Sequence, residues 1–179
     1  LDVAKAINKR IDDVDFDLAE AVKKSAKTQP IEVKADVQKQ IIEFIAGRLK
    51  VVLGDLGYKH DVIDAVLAVQ SNNPAGTVRA VKQLQAWTER GDWSSILDGY
   101  ARCVRITRDQ KETFKIREKS LREVEETTLY EVFNLQSTNF NGNVDAFLKV
   151  VLALIPAITS FFEKILVMAE DKEVRENRL

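Results

Sequence analysis

The chain has 179 residues, 45% of them apolar, and sets 27 Lys and Arg against 28 Asp and Glu. A formal net charge of -1 excludes a uniformly basic nucleic-acid binder but leaves room for a local basic patch. The lone Cys103 excludes an internal disulfide and a multi-cysteine zinc site, and fits a reducing, intracellular compartment. The length suffices for one sizeable core or two small helical subdomains, and the scarcity of Gly (7) and Pro (3) favours helices.

In chain order, residues 1 to 27 are expected to form a first helix with Val3, Ile7, Ile11, Val14, Leu18 and Val22 as its apolar stripe. Pro30 separates it from a second helix over residues 33 to 53, where Ile42, Ile45, Leu49, Val52 and Leu53 recur at helical spacing. Gly54 and Gly57 supply a break, and Asp61 is the expected cap of a helix over residues 61 to 70. Ser71-Asn72-Asn73-Pro74 predicts a turn, with a helix from about Ala75 to Thr88 after it. Arg90-Gly91-Asp92 ends that helix, and Asp92 is the expected cap of the next, from Trp93 to about Lys111. Helices at roughly 118 to 136 and 142 to 168 follow, separated by a loop marked by Asn139, Asn141, Gly142 and Asn143, and a short helix begins near Glu170.

No strand pattern, internal repeat or low-complexity tract is evident. The expected fold is all-α: an antiparallel bundle of about seven to eight helices joined by short loops. Residues 1–70 are read as a helical segment and hairpin packing on a bundle formed by 71–179, with one continuous domain as the other possibility. The most apolar run, Phe147 to Met168, is interrupted by Lys149, Pro156, Thr159, Ser160, Glu163 and Lys164, so no bilayer-spanning segment is expected. The chain starts on Leu1 without a signal-peptide pattern and reads as a portion of a longer soluble protein.

The uneven charge is the main functional signal. Tyr100 to Lys119 holds seven basic residues (Arg102, Arg105, Arg108, Lys111, Lys115, Arg117, Lys119) and three acids (Asp109, Glu112, Glu118), a local net of +4. On a helical projection Ile96, Leu97, Tyr100, Cys103, Val104 and Thr107 share one arc, and Arg102, Arg105 and Arg108 the opposite one. A row of guanidinium groups suits RNA, since each planar fork donates paired hydrogen bonds and stacks on unstacked bases. The plainer reading of such a row is a solvated helix face. Phe114, among Lys111, Lys115 and Arg117, is the one exposed-looking aromatic in a basic context and a candidate for base stacking, whereas Trp87 and Phe133 fall on apolar stripes.

Other chemistry finds little support. His60-Asp61 resembles a phosphohydrolase metal dipeptide, but His60 is the only histidine, so a helix start is the favoured reading. Cys103 on the buried arc reads as a core residue. No Ser/His/Asp set and no Gly-rich phosphate loop is present. The expected catalytic and metal residues are therefore none.

Several phrases in order along the chain resemble the glycine–tRNA ligase beta subunit family. Phe44 to Leu49 is similar to "FI-x-x-RL", His60 to Leu67 to "HDVIDAVLA", and Tyr100 to Ile106 to "Y-K-R-x-x-N-I". Leu129-Tyr130 matches "LY", Phe161 to Asp171 resembles "FFDxVxVMAED", and Val174 to Leu179 resembles "VRxNRL". Leu1 to Gln40 is the least diagnostic part. The resemblance implies a helical anticodon-binding domain of the DALR type, also found in arginine–tRNA ligase. It implies, as partners, glycine tRNA and an alpha subunit in an α2β2 enzyme that uses ATP and Mg, with adenylation mainly on the alpha subunit and no cofactor in this stretch. It further implies a cytoplasmic location or an organelle of bacterial origin. Arg105 stands where the family phrase has asparagine and Ala101 where it has lysine, so among the family positions only Arg102 is matched. The family's "NRL" leads into a further short helical stretch.

The expected tRNA-binding set is thus Arg102, Arg105, Arg108, Lys111, Phe114 and Lys115, with only the first carried by the resemblance and the rest by charge and phase. The alternative function is a helical scaffold whose Phe161–Met168 face serves subunit association without reading RNA.

Overall fold

The computed structural model describes residues 14–140 and 142–179. Among these the chain forms eight α-helices and one 3-10 turn, with no strand, in agreement with the all-α expectation. They fall into two compact units that divide between Thr88 and Glu89.

The first unit holds α1 (Leu18–Lys27), α2 (Ala35–Asp55), α3 (His60–Gln70) and α4 (Pro74–Thr88). Its core gathers Leu53, Ile63, Ala75 and Val81, all without measurable exposure, with Leu49, Val62, Val66 and Trp87 around them. Burial of each Leu, Ile or Val side chain among them stabilises the unit by about 1.5–3 kcal/mol relative to exposure. Among the described residues the first helix begins at Leu18, where Asp17 caps it by accepting the Glu20 amide at 3.0 Å, so the helix expected over residues 1 to 27 is not continuous. Val14 fits the apolar periodicity yet lies outside any helix, 57% exposed, while Val3, Ile7 and Ile11 lie outside the described residues. Asp15 instead pairs with Arg79 and accepts from Asn73 Nδ2 at 2.8 Å, and the Leu18 amide donates to the Asn72 carbonyl at 2.7 Å. Long-range partners thus outweigh the periodic pattern over residues 14–17.

The hairpin break is made by one glycine rather than two. Gly54 is inside α2; Gly57, at φ 87°, is the residue that turns the chain. The Tyr58 amide donates to the Leu53 carbonyl at 3.2 Å and the Gly57 amide to the Gly54 carbonyl at 2.9 Å. That pair of bonds is a Schellman closure, which requires a left-handed residue at Gly57. Asp61 does not cap α3 as expected: Lys59 is the capping position, and Asp61 sits in the first turn with its carboxylate near the helix's amide-rich end. His60 is the exposed first residue of α3, as the helix-start reading has it.

The second unit holds α5 (Trp93–Thr107), a 3-10 turn (Glu118–Ser120), α6 (Val124–Ser137), α7 (Val144–Lys164) and α8 (Lys172–Arg178). α7 is the central element: Val150, Leu154 and Ile158 are buried and pack against Cys103 of α5, Leu129 and Val132 of α6, and Phe162. Asn143 caps it by accepting the Ala146 amide at 2.8 Å. By length and composition α7 is apolar enough to cross a bilayer, which corrects the sequence expectation that no such run exists. In this unit its apolar face meets α5 and α6.

Three boundaries in this unit differ from expectation. α5 ends at Thr107 rather than Lys111; α6 starts at Val124 rather than near 118; α7 ends at Lys164 rather than 168. Past α7 the Leu166 and Ala169 carbonyls are taken by Arg178 and Arg175; before α6 the Arg122 and Glu123 amides are taken by Glu126 of that helix; past α5 the chain is next tied at Arg117, by Asn177. Asp92 holds the N-cap position of α5 as expected, its carbonyl accepting the Ile96 amide at 3.2 Å, but its carboxylate makes no capping bond and is taken by the Arg90 guanidinium through Nε (2.8 Å) and Nη2 (2.7 Å).

Two glycine substitutions separate turn geometry from helix propensity. Gly57→Ala forces a side chain into the left-handed region and is expected to destabilise the protein by about 1 kcal/mol or more. Gly47→Ala, at an exposed helical position with nothing within 4 Å of the added Cβ, is expected to stabilise it by up to about 1 kcal/mol. Urea unfolding of both variants checks the opposite signs.

Candidate nucleic-acid interface

The edge of α5 that packs inward keeps Ile96 and Cys103 from the expected arc but runs through Gly99 rather than Leu97, Tyr100 and Val104. A Cβ at Gly99 would lie 2.5 Å from Ile155 Cδ1, so the missing side chain is what lets α5 approach α7 closely here. Helix α5 is consequently rotated relative to expectation. Leu97, Tyr100 and Val104 are 47%, 43% and 41% exposed, and Arg102 is half-buried with its guanidinium 4.9 Å from the Phe162 ring centre. That cation–π contact gives Arg102 a packing role within the unit.

The remaining sequence candidates are arranged as follows. Arg105 is exposed on the last turn of α5, and Arg108, at its C-cap, lies 3.7 Å from Asp109. Lys111 and Lys115 are exposed on the non-helical segment that follows. Arg105, Lys111 and Lys115 form no ion pair among the described residues, so their charge is available to a partner. Phe114 is half-buried rather than displayed, lining an apolar groove of about 480 Å³ with Tyr100, Leu129, Tyr130, Phe133 and Phe147. Phe133, expected in the core, is 47% exposed at that groove. Cys103 also lines it; burial raises its thiol pKa, in keeping with a core rather than a nucleophilic role.

A polar network frames the cationic segment. Its centre is Glu126, a buried carboxylate at 5% exposure on the first turn of α6. It accepts the Glu123 amide at 2.9 Å, accepts the Arg122 amide, and pairs with Arg178, whose side chain is 11% exposed. Burial works to raise the Glu126 pKa, but the two amides and the guanidinium outweigh it and hold the carboxyl below its ordinary value. Arg178 also donates to the Leu166 carbonyl at 3.0 Å and Arg175 to the Ala169 carbonyl at 2.9 Å, which satisfies the chain past the end of α7. Asp171 caps α8 by accepting the Val174 and Glu173 amides, and these bonds lower its pKa. None of this network was singled out from the sequence; its signal was the polar residues Arg175, Asn177 and Arg178 crowded beside Val174.

Among the described residues, no three His, Cys, Asp or Glu side chains stand close enough to hold a metal ion. The unit is an all-α module with a cationic edge held by a buried ionic network. The chain is homologous to a stretch of the glycine–tRNA ligase beta subunits. It is 34% identical over 158 residues to the glycine–tRNA ligase beta subunit of Moorella thermoacetica, covering 84% of this chain and 22% of that protein. It is 30% identical over 170 residues to the beta subunit of Myxococcus xanthus, covering 90% of this chain and 23% of that protein. With the Arabidopsis thaliana glycine–tRNA ligase, chloroplastic/mitochondrial 2, it shares 26% identity over 87% of this chain and 15% of the relative. The chain thus spans about a quarter or less of each of these relatives. No family model matches it.

The network makes stability sensitive to acid. Carboxylates whose folded pKa is lowered stabilise the fold above their unfolded pKa, near 4, and lose that contribution as pH falls through the folded value. Urea unfolding is expected to weaken between about pH 5 and pH 3. Glu126→Gln leaves Arg178 without its counter-charge; it is expected to cost about 3 kcal/mol at pH 7 and to flatten the acid dependence. An unchanged acid slope in that variant would place the dependence elsewhere.

Proposed function

We propose that the chain is the tRNA anticodon-arm recognition module of a glycine–tRNA ligase, contributing to ATP-dependent glycylation of tRNA without carrying the adenylation chemistry. The observation that carries this reading is the exposed cationic set Arg105, Lys111 and Lys115, free of ion pairs among the described residues, in a chain whose net charge is only -1. The homology to beta subunits selects tRNA among the polyanions such a set would hold. In this proposal the partners are glycine tRNA and an alpha subunit in an α2β2 assembly, and ATP and Mg act on that alpha subunit. The bacterial and chloroplastic/mitochondrial relatives support a cytoplasmic or organellar setting.

Within the site the residues take different roles. Arg105, Lys111 and Lys115 contact phosphates, which gives affinity and salt dependence; Arg108 joins them once Asp109 releases it. Arg102, engaged on Phe162, orients α5 and offers one edge of its guanidinium. Phe114 stacks a base only at the mouth of the groove it lines. A second reading, subunit association after α7, is favoured by Leu166 and Met168, 70% and 53% exposed and close in sequence.

Filter binding of glycine tRNA over a salt series tests the first reading. Replacing Arg105, Lys111 and Lys115 together with alanine is expected to lower affinity at least about tenfold and to reduce the slope of log affinity against log salt by about 2. Anticodon substitutions in the tRNA are expected to lower affinity further; equal affinity for all of them would leave electrostatics without recognition.

A further inference from the structure

The segment from Arg108 to Arg117 carries Lys111, Phe114 and Lys115, yet it forms neither helix nor strand. Its own backbone bonds are sparse, with the Gln110 amide on the Thr107 carbonyl at one end and the Ser120 amide on the Arg117 carbonyl at the other. What restrains its course comes from 60 residues away. Asn177 Oδ1 accepts the Arg117 amide at 2.7 Å, and Asn177 Nδ2 donates to the Arg117 carbonyl at 3.3 Å. The Arg117 guanidinium returns a bond to the Glu173 carbonyl at 3.2 Å.

A side-chain amide that accepts from and donates to the main chain of one residue behaves as a one-residue strand partner, fixing both its position and its orientation. Asn177 is itself anchored, since α8 is capped by Asp171 and the adjacent Arg178 is locked on buried Glu126. Restraint therefore runs from the Glu126 pair through α8 to Arg117, two residues from Lys115.

We propose that Asn177 is a positioning residue for RNA binding: through Arg117 it holds the segment that presents Lys111, Phe114 and Lys115. This rests on the tRNA reading above. Asn177 touches no RNA in this role. It lowers the entropy that the segment would otherwise lose on binding, so its removal weakens tRNA capture rather than the chemical step.

The test uses the complete ligase carrying Asn177→Ala, with trypsin cleavage and steady-state kinetics as paired readouts. Cleavage after Lys111, Lys115 and Arg117 is expected to rise about fivefold to tenfold, the loss of one or two hydrogen bonds, with other sites unchanged. The KM for tRNA is expected to rise about fivefold with kcat within about twofold. Asn177→Asp keeps an acceptor for the Arg117 amide but loses the donor to its carbonyl, and is expected to restore only part of the trypsin resistance; should the alanine variant fail to fold, Asn177→Ser carries the same expectations as the alanine. Unchanged cleavage overturns the proposal, as does faster cleavage with an unchanged KM for tRNA. The Lys111→Ala/Lys115→Ala double variant then separates the two failures. A raised KM in that variant leaves the RNA reading standing without the positioning role, and an unchanged KM removes both.

Discussion

The second unit depends on one buried ion pair. Glu126 and Arg178 are 52 positions apart and both nearly inaccessible to water, so the pair stabilises the unit only because further hydrogen bonds surround it. The two amides at the start of α6 occupy the carboxylate, and the Leu166 carbonyl occupies the guanidinium. The unit thereby acquires a single register for its last residues. Neighbouring Arg175 and Asn177 then reach two segments without regular structure, the chain after α7 and the chain before the 3-10 turn. Loss of either charge would leave the other buried and unpaired, which is why the pair matters more through what it fixes than through its own net energy.

This arrangement separates scaffold from interface. The apolar face of α7 binds α5 and α6, with Gly99 permitting the close approach to Ile155, and it turns Arg102 onto Phe162. The cations left outward, Arg105, Lys111 and Lys115, lie where the chain leaves α5. A cationic stretch on non-helical backbone adapts to an irregular RNA loop more readily than a rigid helix row, but it needs an external restraint to be pre-ordered. The C-terminal stretch supplies that restraint.

The helices were legible in the sequence wherever apolar spacing and a terminating turn agreed, as in α2 with Leu49 and Leu53 buried, or α4 with Val78 and Val81. Boundaries failed where a distant side chain competed for the backbone. Val14 fits a helical stripe, but Asp15 and Asp17 find partners that keep residues 14–17 out of a helix and start α1 at Leu18. The same holds after Lys164, where Arg178 and Arg175 take the chain's carbonyls, and at Arg117, held by Asn177; before Val124 it is Glu126 of α6 itself that takes the Arg122 and Glu123 amides. The phase of α5 was misjudged for a different reason: a projection weights side chains, and the closest packing there is made by Gly99, which has none. The charge excess that marks the candidate interface was visible in the sequence, whereas the rotation of Arg102 toward Phe162 and the groove that half-buries Phe114 arise only from packing.

Crosslinking tests the proposed RNA contact most directly. A photoreactive group placed at Lys111 or Lys115 in the complete ligase, followed by mapping of the joined nucleotides in glycine tRNA, reports which part of the RNA lies against this edge. Crosslinks concentrated in the anticodon stem and loop are expected. Crosslinks confined to the acceptor arm, or none above the level of a probe at exposed Lys39 in the first unit, would contradict anticodon-arm recognition by this module.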